Sequence, residues 1–145
     1  RSPIYCDHGR TRSEESNYTD QGTHEFVYAI MPATTADKAK LTRKGLVLNT
    51  PLSNVMENHH AGVLPLVYEG ISVNADNIVV SAVKRSEDGK GYVVRAYESA
   101  GKPTDAVIAV KGLKTLSAGF GAYEVKTFYL ADGEWEEVLF TEYKE

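Results

Sequence analysis

A single cysteine, Cys6, stands in a chain of 145 residues, so no internal disulfide can form and a disulfide-framed secreted scaffold is excluded. That usage favours a reducing compartment, and the expected location is cytoplasmic. No apolar run approaches the roughly 20 residues of a membrane-spanning helix, and no cationic amphipathic stretch suggests binding to a lipid surface. Basic residues show no surplus: 16 Lys and Arg stand against 20 Asp and Glu, interspersed, for a net charge of −4. The electrostatic footprint of a nucleic-acid partner is therefore missing. No signal-peptide pattern opens the chain, which begins at Arg1 and reads as a processed protein or a piece of a longer one. Glycine-rich phosphate loops and nucleophile elbows are absent as well, which leaves the common nucleotide-binding and hydrolase motifs without a match.

What the chain does contain is alternation. Residues 77–98, NIVVSAVKRSEDGKGYVVRAYE, place apolar side chains at every second position on either side of a polar turn. Successive side chains of a strand point to opposite faces, so this is a β-hairpin, with Val80, Ala82, Val94 and Ala96 expected on the face turned to the core. Strands are also expected over 26–31, ended by Pro32, and over 106–110 and 122–130. The proline-broken runs 45–52 and 61–73 read as short or edge strands, with a polar loop at 54–60 between them. One helix is expected, near 36–44, started by Thr34, Thr35 and Asp37, stopped by Gly45 and packed on the sheet through Ala36, Ala39 and Leu46. The fold class is mainly β, an antiparallel β-sandwich with this one short helix. The best internal boundary, near 72–76, divides the chain into residues 1–75, the end of a larger β-sandwich plus the helix, and residues 76–145, a small C-terminal β-sandwich.

Chemically suggestive groups are few. Cys6 with His8, and the pair His59 and His60, fall short of the three or four converging ligands a metal site needs, so no metal ligand is assigned in this chain. Glu87 and Asp88 are adjacent carboxylates at a hairpin tip, a solvated turn without the burial that a catalytic carboxylate pair needs. The Asn17-Tyr18-Thr19 triplet matches a glycosylation sequon, a pattern common by chance. Asn17, Tyr18, Asp20 and His24 lie in a polar loop and form a candidate rim for a sugar site. No catalytic residue is assigned.

Five segments appear in a telling order: RSPIY at 1–5, DQGTHEFVYAIMP at 20–32, LNTPL at 48–52, VVSAVKRSEDGKGYVVRAYESAG at 79–101 and AYEVKTF at 122–128. Together they resemble the C-terminal portion of the α-mannosidases of glycoside hydrolase family 38, with Ala33 where the family often has histidine and Ala96 where a larger apolar residue is expected. The resemblance implies a retaining glycosidase whose N-terminal α/β domain carries an aspartate nucleophile, a second carboxylic acid and a zinc ion. None of those motifs matches a position here, so the chain itself is expected to be inactive and to hold no cofactor. Its implied partners are the catalytic domain of the same polypeptide and, through the whole enzyme, an α-mannoside. Freed of that domain, the apolar runs at 26–30 and 63–67 are expected to drive a homo-oligomer, for example by exchange of an N-terminal strand. The alternative is a free-standing carbohydrate-binding sandwich using exposed aromatics such as Tyr18 or Trp135.

Overall fold

The computed structural model describes residues 22–142, and the chain divides into two compact units, Arg1–Met31 and Pro32–Glu145. Of the first unit, residues 22–31 are described: they form no regular element, and Phe26, Val27, Tyr28 and Ile30 are exposed. The strand expected there does not form. Alternation alone cannot hold a strand, because its N–H and C=O groups need a ladder partner, and none pairs with this run among the described residues.

The second unit begins with a 3-10 turn, Thr35–Asp37, and runs straight into helix α1, Lys38–Asn49. The Asp37 carboxylate accepts the Thr34 N–H at 2.9 Å and the Thr34 hydroxyl at 2.8 Å, bonds that hold its pKa below the usual carboxylate range. Gly45 does not stop α1. A mid-helix glycine costs only about 1 kcal/mol, and Leu46, Val47 and Leu48 carry the helix to Asn49, where the Thr50 N–H caps the Leu46 carbonyl. The expected apolar docking of the helix is also absent, since α1 buries no residue. It is tied to the body by polar groups instead: Lys38 donates to the Tyr123 hydroxyl, and Arg43 bonds the Asp76 carbonyl at 3.0 Å and its carboxylate at 3.3 Å.

Seven strands follow: β1 (Ile71–Val73), β2 (Ile78–Arg85), β3 (Tyr92–Glu98), β4 (Thr104–Val110), β5 (Leu116–Phe120), β6 (Val125–Ala131) and β7 (Glu134–Val138). They form two antiparallel sheets, one ordered β1-β4-β5 and the other β2-β3-β6-β7. This is the expected mainly-β sandwich architecture. Strand β5 lies within a glycine-punctuated stretch, residues 111–121, where no strand was expected; Leu116 and Phe120, four apart, point the same way into the core and make it a strand.

The core lies between the sheets. Ile78, Val94, Ala96 and Phe128 meet Ala106, Ile108, Leu116 and Phe120, and the rings of Phe120 and Phe128 cross edge to face at 6.1 Å and 72°. That pair contributes about 1 kcal/mol beyond its area burial. Ala96 is fully buried, so the residue smaller than the family pattern sits where its neighbours already fill the space.

The hairpin β2-β3 forms as expected, with one correction. Val80 pairs with Ala96 and Ala82 with Arg95, so Ser81 is an extra residue, a β-bulge. Past the bulge the faces exchange. Val83, not Ala82, joins Val80, Val94 and Ala96 against the core. The outer face of this sheet is covered in part by the returning chain: Arg95 bonds Thr127 Oγ1 at 3.1 Å and the Phe140 carbonyl at 2.7 Å, with its guanidinium 3.7 Å from the Phe140 ring centre. Val93 and Thr127 are buried there.

Candidate functional site

The longest stretch without regular structure in the second unit is residues 50–70. Pro51 and Pro65 each lack the N–H a ladder would use. Its apolar side chains are nearly or fully in solvent: Leu52 is 97% exposed, Met56 94%, Val63 100% and Leu66 106%, with Val55, Leu64 and Val67 close behind. Polar contacts along it are local. His60 bonds the Ala61 carbonyl and the Glu57 carboxylate, each at 2.9 Å, and these acceptors, the carbonyl first, raise its pKa. At its end the segment is anchored to the sandwich, the Lys111 N–H donating to the Gly70 carbonyl at 2.9 Å and the Lys111 ammonium lying 4.4 Å from the Tyr68 ring centre. An apolar run held out from a well-packed body is a surface waiting for a partner.

One end of the sandwich is built on a buried carboxylate. Glu98, 1% exposed, ends β3 and accepts the N–H groups of Ala100 (2.6 Å), Gly101 (2.7 Å), Lys102 (3.1 Å) and Tyr123 (3.0 Å) and the Asn77 side-chain amide (2.8 Å). Burial by itself would raise this acid, but the converging donors outweigh it and hold the pKa down to about 2. The same Asn77 amide donates to Thr104 Oγ1 at 2.7 Å. The group therefore ties the β1-β2, β3-β4 and β5-β6 turns together. It is an acceptor with no proton to give and no room for substrate, and its role is to hold shape. Gly101, at φ +76, passes beneath the Tyr123 ring, where a Cβ would sit 2.6 Å from ring carbon. The reading of the sequence overlooked Glu98; the hint was an acid placed directly before the turn Ser99-Ala100-Gly101, whose Ala100 and Gly101 N–H groups donate back to it.

At the opposite end, a cleft of about 630 Å³ is lined by the β2-β3 turn, Tyr129, Asp132, Thr141 and Glu142. Asp88 here accepts Ser86 Oγ at 2.5 Å, the Lys90 N–H at 3.0 Å and the Tyr129 hydroxyl at 3.1 Å. The Ser86 hydroxyl and the Lys90 N–H lower its pKa. Glu142 pairs with Lys84 at 2.6 Å, which pulls its own pKa down. Neither acid is poised to donate a proton near neutrality, and Glu87, salt-bridged to Lys84, is no partner carboxylate for glycoside chemistry.

Of the expected rim residues, Asn17, Tyr18 and Asp20 lie outside the described residues, as do Cys6 and His8. His24 sits on the exposed part of the first unit. His59 and His60 belong to no ligand cluster: among the described residues no group of three or more His, Cys, Asp or Glu side chains could hold a metal ion. Among the described residues, no helix is long and apolar enough to cross a membrane.

Comparison with known proteins agrees with the architecture. Residues 77–127, from the start of the β2-β3 hairpin into β6, match the Glycosyl hydrolases family 38 C-terminal beta sandwich domain. Alpha-mannosidase G of Dictyostelium discoideum is 32% identical over 103 residues, covering 66% of this chain and 9% of that protein. The chain therefore spans about a tenth of the length of that relative. No solved structure matches it. Residues 77–127 are thus similar to the C-terminal β-sandwich domain of glycoside hydrolase family 38, and the chain is similar to the C-terminal portion of an α-mannosidase.

Proposed function

We propose that this chain is the non-catalytic C-terminal β region of a retaining α-mannosidase, packing on the catalytic domain of the same polypeptide and completing its shape. The observation that carries the reading is the exposed apolar run Leu52, Val55, Met56, Val63, Leu64, Leu66 and Val67, attached to a sandwich that is otherwise internally satisfied. Burying such side chains is worth about 1.5–3 kcal/mol each, on the order of 10 kcal/mol together before the cost of ordering the segment. In this reading the stretch up to residue 75, β1 apart, is the end of a larger β-sandwich whose other strands lie upstream, and the β1–β7 body is the terminal module. Hydrolysis of terminal α-mannosides, the nucleophile, the proton donor and the zinc belong to the upstream part. Asn17, Tyr18, Asp20 and His24 are the residues of this chain nearest to touching sugar. The cytoplasmic setting rests on Cys6 being the sole cysteine.

The test uses the longer polypeptide and the chain alone. Replacing Leu64 and Leu66 together with serine in the longer polypeptide is expected to lower both its thermal midpoint and its hydrolysis of an aryl α-mannoside. Pure chain supplied with zinc is expected to show no turnover, and metal-dependent turnover by it would overturn the assignment. His24→Ala in the longer polypeptide checks the rim through KM.

A further inference from the structure

A β-sandwich must do something with its open edges, because an unpaired strand offers a row of N–H and C=O groups to any passing strand. This one has four edges, and three are guarded. Strand β1 is three residues long. Strand β2 is bent by the bulge at Ser81 and carries Lys84 and Arg85. Strand β7, Glu134-Trp135-Glu136-Glu137-Val138, carries three carboxylates, of which Glu134 pairs with Lys114 at 2.6 Å and Glu137 with Lys126 at 3.0 Å.

Strand β5 has none of these defences. Leu116-Ser117-Ala118-Gly119-Phe120 has no charge, no proline and no bulge, pairs on one side with β4 through five consecutive residues, and makes no backbone bond on its other side among the described residues. We propose that β5 is the contact strand of a homodimer, pairing antiparallel with β5 of a second copy to join two three-stranded sheets into one of six.

The occupant follows from self-complementarity. A two-fold axis through Ala118 sets Leu116 opposite the partner's Phe120, Ser117 opposite the partner's Gly119 and Thr115 opposite the partner's Gly121. Leu116 and Phe120 are the core-facing pair, so the apolar row of one sheet continues into the other. On the outer face a hydroxyl meets a glycine, with no side chain to clash. No like charges face each other, and Lys114, at the end of the register, is already paired with Glu134 at 2.6 Å. The same operation on β7 would set Glu136 against its own copy and leave Glu134 and Glu137 alongside. The proposal is independent of the mannosidase reading.

In this register Ser117 and its symmetry mate are diagonal neighbours on one face, within reach of long side chains. The experiment is sedimentation of the 145-residue chain and of Ser117→Lys and Ser117→Glu, each checked for an unchanged far-ultraviolet circular dichroism spectrum. The wild-type chain is expected to form a concentration-dependent dimer. Each variant alone is expected to dissociate about tenfold more readily, and an equimolar mixture of the two to recover the dimer as a heterodimer. A wild-type chain that stays monomeric to its solubility limit overturns the proposal. So does association unaffected by either variant, which would place the contact on the apolar residues 50–68 instead. Loss of the dimer in both variants without recovery on mixing overturns the register and with it the assignment of the second copy.

Discussion

Glu98 shows how one side chain decides the order of a whole end of the molecule. Its two oxygens take five donors from three turns, so replacing one oxygen by an amide nitrogen turns a donor toward donors. Glu98→Gln is expected to cost about 2–4 kcal/mol at neutral pH, read as a lower urea midpoint. The pH dependence follows from the depressed pKa. A carboxyl near 4.5 when unfolded and at about 2 when folded contributes stability that is complete above 4.5 and is lost as pH falls from there through 2. Between those limits the wild-type chain is expected to lose stability more steeply than Glu98→Gln, and parallel curves would remove the carboxylate from its assigned role. The adjoining turn was the one hint in the residue pattern; the remaining donors, Asn77 and Tyr123, come from turns distant in sequence.

At the scale of an element, the bulge in β2 is the informative feature. Alternation predicted Ala82 inward, and it was right as far as Val80; one extra residue at Ser81 then exchanged the faces. Val83→Asp is therefore expected to destabilise by about 2 kcal/mol or more, since it puts a charge against the core. Ala82→Asp, opposite Arg95, is expected to stay within about 0.5 kcal/mol. Equal losses would mean that the bulge is misplaced. Val94→Asp, at a fully buried position of β3, is expected to cost several kcal/mol, and Lys90→Asp in the exposed turn about 0.5 kcal/mol at most. Chemical denaturation measures all four. Helix α1 teaches a related lesson: a glycine is a tax on a helix, and the backbone ladder on either side of Gly45 absorbs it.

For the described residues, the contrast is between a sandwich that buries its own apolar surface and residues 22–70 ahead of it, none of which is buried. Leu64→Ser with Leu66→Ser in the isolated chain should leave the unfolding free energy of the sandwich within about 0.5 kcal/mol, because both side chains are already in water. Binding of a hydrophobic dye should fall in the same variant. A large loss of stability would mean that residues 50–68 pack on the body, against the docking role proposed for them.

Much of the architecture was legible in the residues: the β2-β3 hairpin, the strands expected at 106–110 and 122–130 and found as β4 and β6, and the single helix follow from alternation, turn chemistry and helix propensity acting over short distances. Those same signals misread 26–31, which has no partner strand among the described residues, 45–52, whose first part continues helix α1 to Asn49, and 61–73, of which only Ile71–Val73 is a strand. Pairing is a non-local condition, and a periodic pattern cannot report whether it is met. The bulge, the core strand hidden in a glycine-rich stretch, the five donors on Glu98 and the open β5 edge were likewise decided by what the fold brought alongside each residue, since burial and hydrogen-bond satisfaction belong to neighbours and not to the residue alone.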